Sequence, residues 1–297
     1  MTVCIAAMCK DSGSSRFVLC SDRRIETVES GGDVCVKFDH AGDGWMALIA
    51  GDTARVRDLA GVFREAMAEK TEKMTAHQIS NLLTACAHQQ KKNLAEHFVQ
   101  SQLAVSYDYL LKNGKVKLPP EEFSQLIASV RLIDLGCELI LSGFVEENPV
   151  LFKVQRDGSV NRMDAFAVIG AGEAVAEASL FRRKCVGTMS VEEVAYYVYE
   201  AKRMSEVASS VGPATSLAVM RRSGPGFSQF RMIDDFTMAT LDAHYKQIGP
   251  QEYKPYATLL VPFGFSLPEG RPDLRQTKAD QLPQLPSPES PGESDES

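Results

Sequence analysis

Along this chain the hydrophobic residues change their spacing several times, and the order of those changes limits the folds open to it. Four apolar runs come first. VCIAAMC (3–9) and FVLCSD (17–22) flank the polar segment KDSGSSR, and DVCVKF (33–38) and GWMALIAG (44–51) flank DHAGD, which predicts two antiparallel strand pairs. From Thr53 the period lengthens: Val56, Leu59, Val62, Phe63 and Met67 mark one helix. Ile79, Leu82, Leu83 and Cys86 mark a second, after a capping residue at Thr75. Helical spacing continues to about Leu111, KNGK breaks it, and PPEEFSQLIASVRLI (119–133) predicts a further helix with proline at its start. Strands resume with CELILSGF (137–144), PVLFKVQ (149–155) and AFAVIGAG (165–172). Two helices follow, 173–184 and 190–207, the latter opened by a capping box at Ser190 and Glu193. TSLAVMRR and FSQFRMID close the strands, and a last helix is predicted over 236–248.

Strands, two helices, strands, two helices, strands is the order that lets two packed sheets bury both of their faces under helix pairs. The fold class predicted is therefore α+β, a four-layer αββα sandwich of two antiparallel sheets. It is assigned to residues 1–266, with a helical insertion at about 93–132. Residues 267–297 carry six of the fourteen prolines together with Ser, Glu and Asp, so they are expected to form a disordered acidic tail that buries too little apolar surface to offset ordering entropy. A docking or regulatory segment is the alternative for that tail.

Composition removes several function classes. At 297 residues and 44% apolar the chain can build a sizeable core. A net charge of -7, with Lys and Arg scattered, gives no footprint for nucleic acid. No apolar stretch reaches the roughly 20 residues that cross a bilayer, and residues 1–15 lack the pattern of a secretory signal, so a cytoplasmic protein with no membrane contact is expected. The seven cysteines (Cys4, Cys9, Cys20, Cys35, Cys86, Cys137, Cys185) form no CxxC pair and have no His at ligand spacing. Buried free thiols are expected, with no disulfide framework, no metal and no cofactor.

Several segments together resemble the proteasome β-subunit and HslV group of N-terminal nucleophile hydrolases. They are Thr2 at the head of a strand, Ser21-Asp22-Arg23-Arg24 ending the second strand, Lys37 in the third, and Ala50-Gly51-Asp52-Thr53-Ala54 leading into a helix. ELILSGF with PVLFKVQRDGS, AFAVIGAG, and SSVGPATSLAVM extend the likeness over roughly 2–235.

The resemblance implies a threonine endopeptidase. Removal of Met1 would leave Thr2 with a hydroxyl nucleophile and a free α-amine, a base whose ordinary pKa is about 8. Lys37 would stand beside the hydroxyl as an ammonium, Asp22 would pair with Lys37, and the Gly51 N–H would serve an oxyanion hole. Glu206 with either Ser209 or Ser210 would form a second acid and serine set, and Ile49 would line the substrate pocket. Peptide or unfolded protein would be the substrate, with assembly as a homo-oligomeric ring and an ATP-dependent unfoldase as partner. One departure stands out: the turn Gly170-Ala171-Gly172 lacks the serine usual between its glycines. From the residues alone, Thr2 is also compatible with an ordinary second residue, Asp22–Lys37 with a structural salt bridge, and Gly51 with a turn glycine. A catalytically silent scaffold subunit and a small-molecule amidohydrolase of the same type are the alternative functions.

Overall fold

A computed structural model describes residues 2–26, 31–33, 37–70, 74–224 and 227–250; of residues 25, 26, 31–33 and 227 only the backbone is described. Met1, Cys35 and the expected tail lie outside these residues.

The first hairpin joins β1 (Val3–Asp11) to β2 (Ser14–Asp22) through two residues, Ser12 and Gly13, both at positive φ. That left-handed pair matches the twist of the strands, so the predicted seven-residue loop contracts to a two-residue turn. After the short pair β3 (Arg24–Glu26) and β4 (Gly31–Asp33) come β5 (Phe38–Gly42) and β6 (Trp45–Gly51). The third strand thus begins later than predicted, and Lys37 sits just before it, its carbonyl accepting from the Ile49 N–H at 3.2 Å.

Helices α1 (Thr53–Ala68) and α2 (Ala76–Leu103) follow, capped by Asp52 and by the capping box of Thr75 and Gln78. Val62 is 41% exposed, while the neighbouring Ala60 takes its place on the buried face of α1. The helical reading does not break at KNGK: the interruption falls at Ala104, in the left-handed region at φ 55, and KNGK lies inside α3 (Tyr107–Lys117). Gly114 is tolerated there because α4 (Pro120–Arg131) passes close; a Cβ would stand 2.8 Å from Phe123 Cε2 and Leu110 Cδ1. Ala95, Val99, Leu110 and Val130 form a satellite core beneath these helices.

The remaining strands are β7 (Cys137–Val145), β8 (Asn148–Val154), β9 (Val160–Met163), β10 (Phe166–Gly170), β11 (Thr215–Gly224) and β12 (Phe227–Met232). The remaining helices are α5 (Glu173–Arg182), α6 (Val191–Ser205) and α7 (Asp235–Ile248). Strand β9 was not predicted: VNRM is polar and half exposed, and carries no alternation to read.

Two five-stranded antiparallel sheets result, in the orders β10-β1-β2-β11-β12 and β5-β6-β7-β8-β9. Alternation along β1 explains how they stack. Cys4, Ala6 and Met8 join Leu19, Leu48, Ile140 and Ile169 between the sheets, while Val3, Ile5 and Ala7 face Leu180, Val194 and Val198 of α5 and α6. On the second sheet Ala47, Ile49 and Leu139 turn outward to Val56, Leu59, Ile79 and Leu83 of α1 and α2. The αββα sandwich predicted from the order of elements is the fold observed.

Candidate active site

Thr2 heads β1 at the end of the first sheet, and the β1–β2 register of Cys4 with Ser21 sets Asp22 beside it. Lys37 comes from the second sheet. The Asp22 carboxylate gathers the site: Oδ1 accepts from the Val3 N–H at 3.0 Å, from Lys37 Nζ at 2.8 Å and from the Thr2 hydroxyl. Its Oδ2 accepts backbone N–H groups from Arg24 at 3.2 Å and Gly212 at 3.3 Å. Lys37 Nζ also donates to Thr2 Oγ1, so the three side chains close a triangle. Asp22 is fully buried, and Lys37 and Thr2 are 6% and 4% exposed in the unprocessed chain. A charge so buried is tolerable because it is paired and saturated with charge-assisted hydrogen bonds.

The backbone around Thr2 is close-fitting. Gly170 has φ +92, and a Cβ on it would lie 2.3 Å from the Thr2 carbonyl oxygen, so both conformation and space call for glycine. Its N–H donates to Glu138 Oε2 at 3.1 Å, and the Gly172 N–H reaches the Thr2 carbonyl at 3.5 Å. Ala171 between them is exposed. Cys4 offers no rival nucleophile: its thiol donates to the Ile49 carbonyl at 3.3 Å, and burial pushes it well above the ordinary thiol range despite the nearby Lys37 ammonium.

The other expected site residues have these surroundings. Gly51 is exposed at the end of β6 with φ +92, and a Cβ would meet the Gly136 carbonyl at 2.6 Å. The Ile49 side chain, 4% exposed, packs in the core under α1, and the residue meets the site through its backbone. Glu206 is turned onto Lys202 Nζ at 2.6 Å and Arg203 Nε at 3.5 Å, Ser209 is exposed, and Ser210 is 8% exposed. The contact from this late loop to Asp22 is instead the Gly212 N–H, and the buried cation beneath the loop is Lys202; neither carries a local sequence signal. A separate cavity of about 550 Å³, with Trp45, Phe144, Met67 and Arg222 in its wall, opens at the other end of β6 from Gly51. Among the described residues no group of His, Cys, Asp or Glu could hold a metal ion, and no helix is long and apolar enough to cross a membrane.

Two five-stranded antiparallel sheets, with Thr2 at the head of the first strand, frame this site. Among solved structures the chain is similar to a Gly-1 mutant of Anbu from Hyphomicrobium sp. strain MC1, at 14% identity and a TM-score of 0.54, over 83% of this chain and 95% of that one. No family model matches the chain, and no curated protein does. The sequence resemblance to the proteasome β-subunit and HslV group is corrected accordingly: it does not amount to membership, and at 14% identity the structural likeness is one of fold. Two of the glycines that suggested it, Gly51 and Gly170, end strands close against other backbones.

Proposed function

We propose that this chain is a threonine-type peptidase in which Thr2, freed by loss of Met1, is the nucleophile. The observation that carries the reading is the contact of Thr2 Oγ1 with both Lys37 Nζ and Asp22 Oδ1 at the end of the sandwich. Oγ1 attacks the substrate carbonyl carbon, its proton passing to the α-amine, and the carbonyl electron pair moves onto oxygen. Collapse breaks the C–N bond, the leaving amine takes that proton, and an ester remains on Thr2. Water, deprotonated by the same amine, then releases the acid. The Lys37 ammonium stabilises charge developing on Oγ1, Asp22 holds Lys37 in place, and the Gly51 N–H is assigned to the oxyanion. Peptides or unfolded chains are the substrates, a homo-oligomeric ring the working state, and an unfoldase acting in trans the partner.

A second reading, a catalytically silent scaffold subunit, is favoured by the 4% exposure of Thr2 and by Ala171, which supplies no hydroxyl. Intact-mass analysis separates the two. The peptidase reading expects loss of Met1, and a β-lactone adduct on the wild-type chain that is absent from Thr2→Ala and slowed by at least about 1,000-fold in Lys37→Met. Retained Met1, or peptide hydrolysis undiminished in Thr2→Ala, sinks it.

A further inference from the structure

Lys202 lies in the last turn of α6 and is wholly buried, an unusual place for an ammonium. Its Nζ donates to two acceptors that lie along the chain after it: Glu206 Oε1 at 2.6 Å and the Pro213 carbonyl at 2.7 Å. The loop between those two acceptors is thereby tied down at both ends. Next to Pro213 is Gly212, whose N–H donates to Asp22 Oδ2 at 3.3 Å, and Ala214 accepts the Arg23 N–H at 3.0 Å. Arg23 Nε reaches Ser216 Oγ at 2.9 Å, completing the seam between the loop and the end of β2.

We infer that Lys202 is a positioning residue of the Thr2 site: its buried ammonium holds the loop 206–214 so that the Gly212 N–H fixes Asp22, and through Asp22 the Lys37–Thr2 pair. Oδ1 already carries the Thr2, Val3 and Lys37 contacts, so what orients the carboxylate from its other side is Oδ2 with its two backbone donors. Removing one of them lets the carboxylate turn away from Lys37 and Thr2. The consequence for Thr2 rests on the threonine-nucleophile reading, whereas the hold on Gly212 does not.

Lys202→Met is the informative variant. Methionine fills much of the same space, and Glu206, which is partly exposed, keeps Arg203 as a partner, so no buried charge is stranded. Two measurements are made on the full chain: amide hydrogen exchange at Gly212, with Ile5 of β1 as the control, and Thr2 acylation by a β-lactone, its rate per reactive site separated from its half-saturating concentration. The expected result is Gly212 exchange faster by about tenfold or more with Ile5 unchanged, and a rate per reactive site lowered by about tenfold or more at an unchanged half-saturating concentration. A residue that only props up the fold would lower the number of reactive sites and leave the rate at each where it was. Unchanged Gly212 protection, or a changed amide with an unmoved rate per site, overturns the inference. If Lys202→Met does not fold, Glu206→Gln, which weakens the ammonium's anchor, must give the same two changes at smaller amplitude, and their absence overturns it equally. A wild-type chain inert to the probe counts against the peptidase reading, and the exchange data still decide whether Lys202 holds Gly212.

Discussion

Asp22 shows how one side chain can serve structure and chemistry together. From the end of β2 its five hydrogen bonds reach the start of β1, the start of β3, the approach to β5 and the loop after α6, so its removal would loosen all four. Thr2, Asp22 and Lys37 and their contact were expected through the resemblance; no local pattern shows that contact, since it depends on two strand registers and on the spacing between sheets. Gly170 gives the sharpest residue-level prediction. Gly170→Ala places a side chain at φ +92 and against the Thr2 carbonyl, and is expected to cost roughly 1–3 kcal/mol in chemical denaturation. Thr2 acylation should fall further than the folded fraction does, because the displaced atoms belong to Thr2 itself. A variant as stable as wild type would show that the turn yields without strain.

Elements were readable where their signals are local. The cap at Thr75, which Gln78 completes into a box, and the capping box of Ser190 with Glu193 form as predicted, since a cap needs only neighbours in sequence. KNGK misled because a glycine in a helix reads as a break, and only the passage of α4 across Gly114 shows why it is kept. The pairing of α5 with α6 was equally hidden. Glu200 is fully buried and receives Arg182 at 2.9 Å, Arg183 at 2.8 and 2.5 Å, and the Tyr196 hydroxyl at 3.2 Å. Burial alone would raise its carboxyl, but the Arg183, Arg182 and Tyr196 hydrogen bonds outweigh it and hold it below the ordinary carboxylate value. A lowered folded value means stabilisation that is complete above the unfolded carboxylate range and disappears as pH falls through the folded value. Glu200→Gln should therefore lose about 1.5–3 kcal/mol near neutral pH and less in acid. Urea denaturation between pH 7 and pH 3 would show the two chains converging; a constant gap would refute the assignment.

At the scale of the molecule, the candidate site straddles the two sheets, with Thr2 and Asp22 on one and Lys37 entering from the other. Its geometry therefore depends on the inter-sheet core more than on the helix layers. Leu19, between the sheets, and Leu59, under the second sheet, are both fully buried. Either leucine replaced by alanine should cost about 2–5 kcal/mol. At equal folded fraction, Leu19→Ala should slow Thr2 acylation more than Leu59→Ala; equal rates would mean that the sheets hold their separation without that contact.

The sequence by itself determined the order of strands and helices, hence the four layers, because hydrophobic period and helix caps are set by neighbours along the chain. It also named the hydroxyl at the head of β1 and the acid and base that meet it. Tertiary structure alone decided that Lys37 stands outside its strand, that Glu206 turns to Lys202, and that a backbone amide from Gly212 reaches Asp22. The last is a contact between residues 190 positions apart, fixed by sheet register and burial, which no local pattern records.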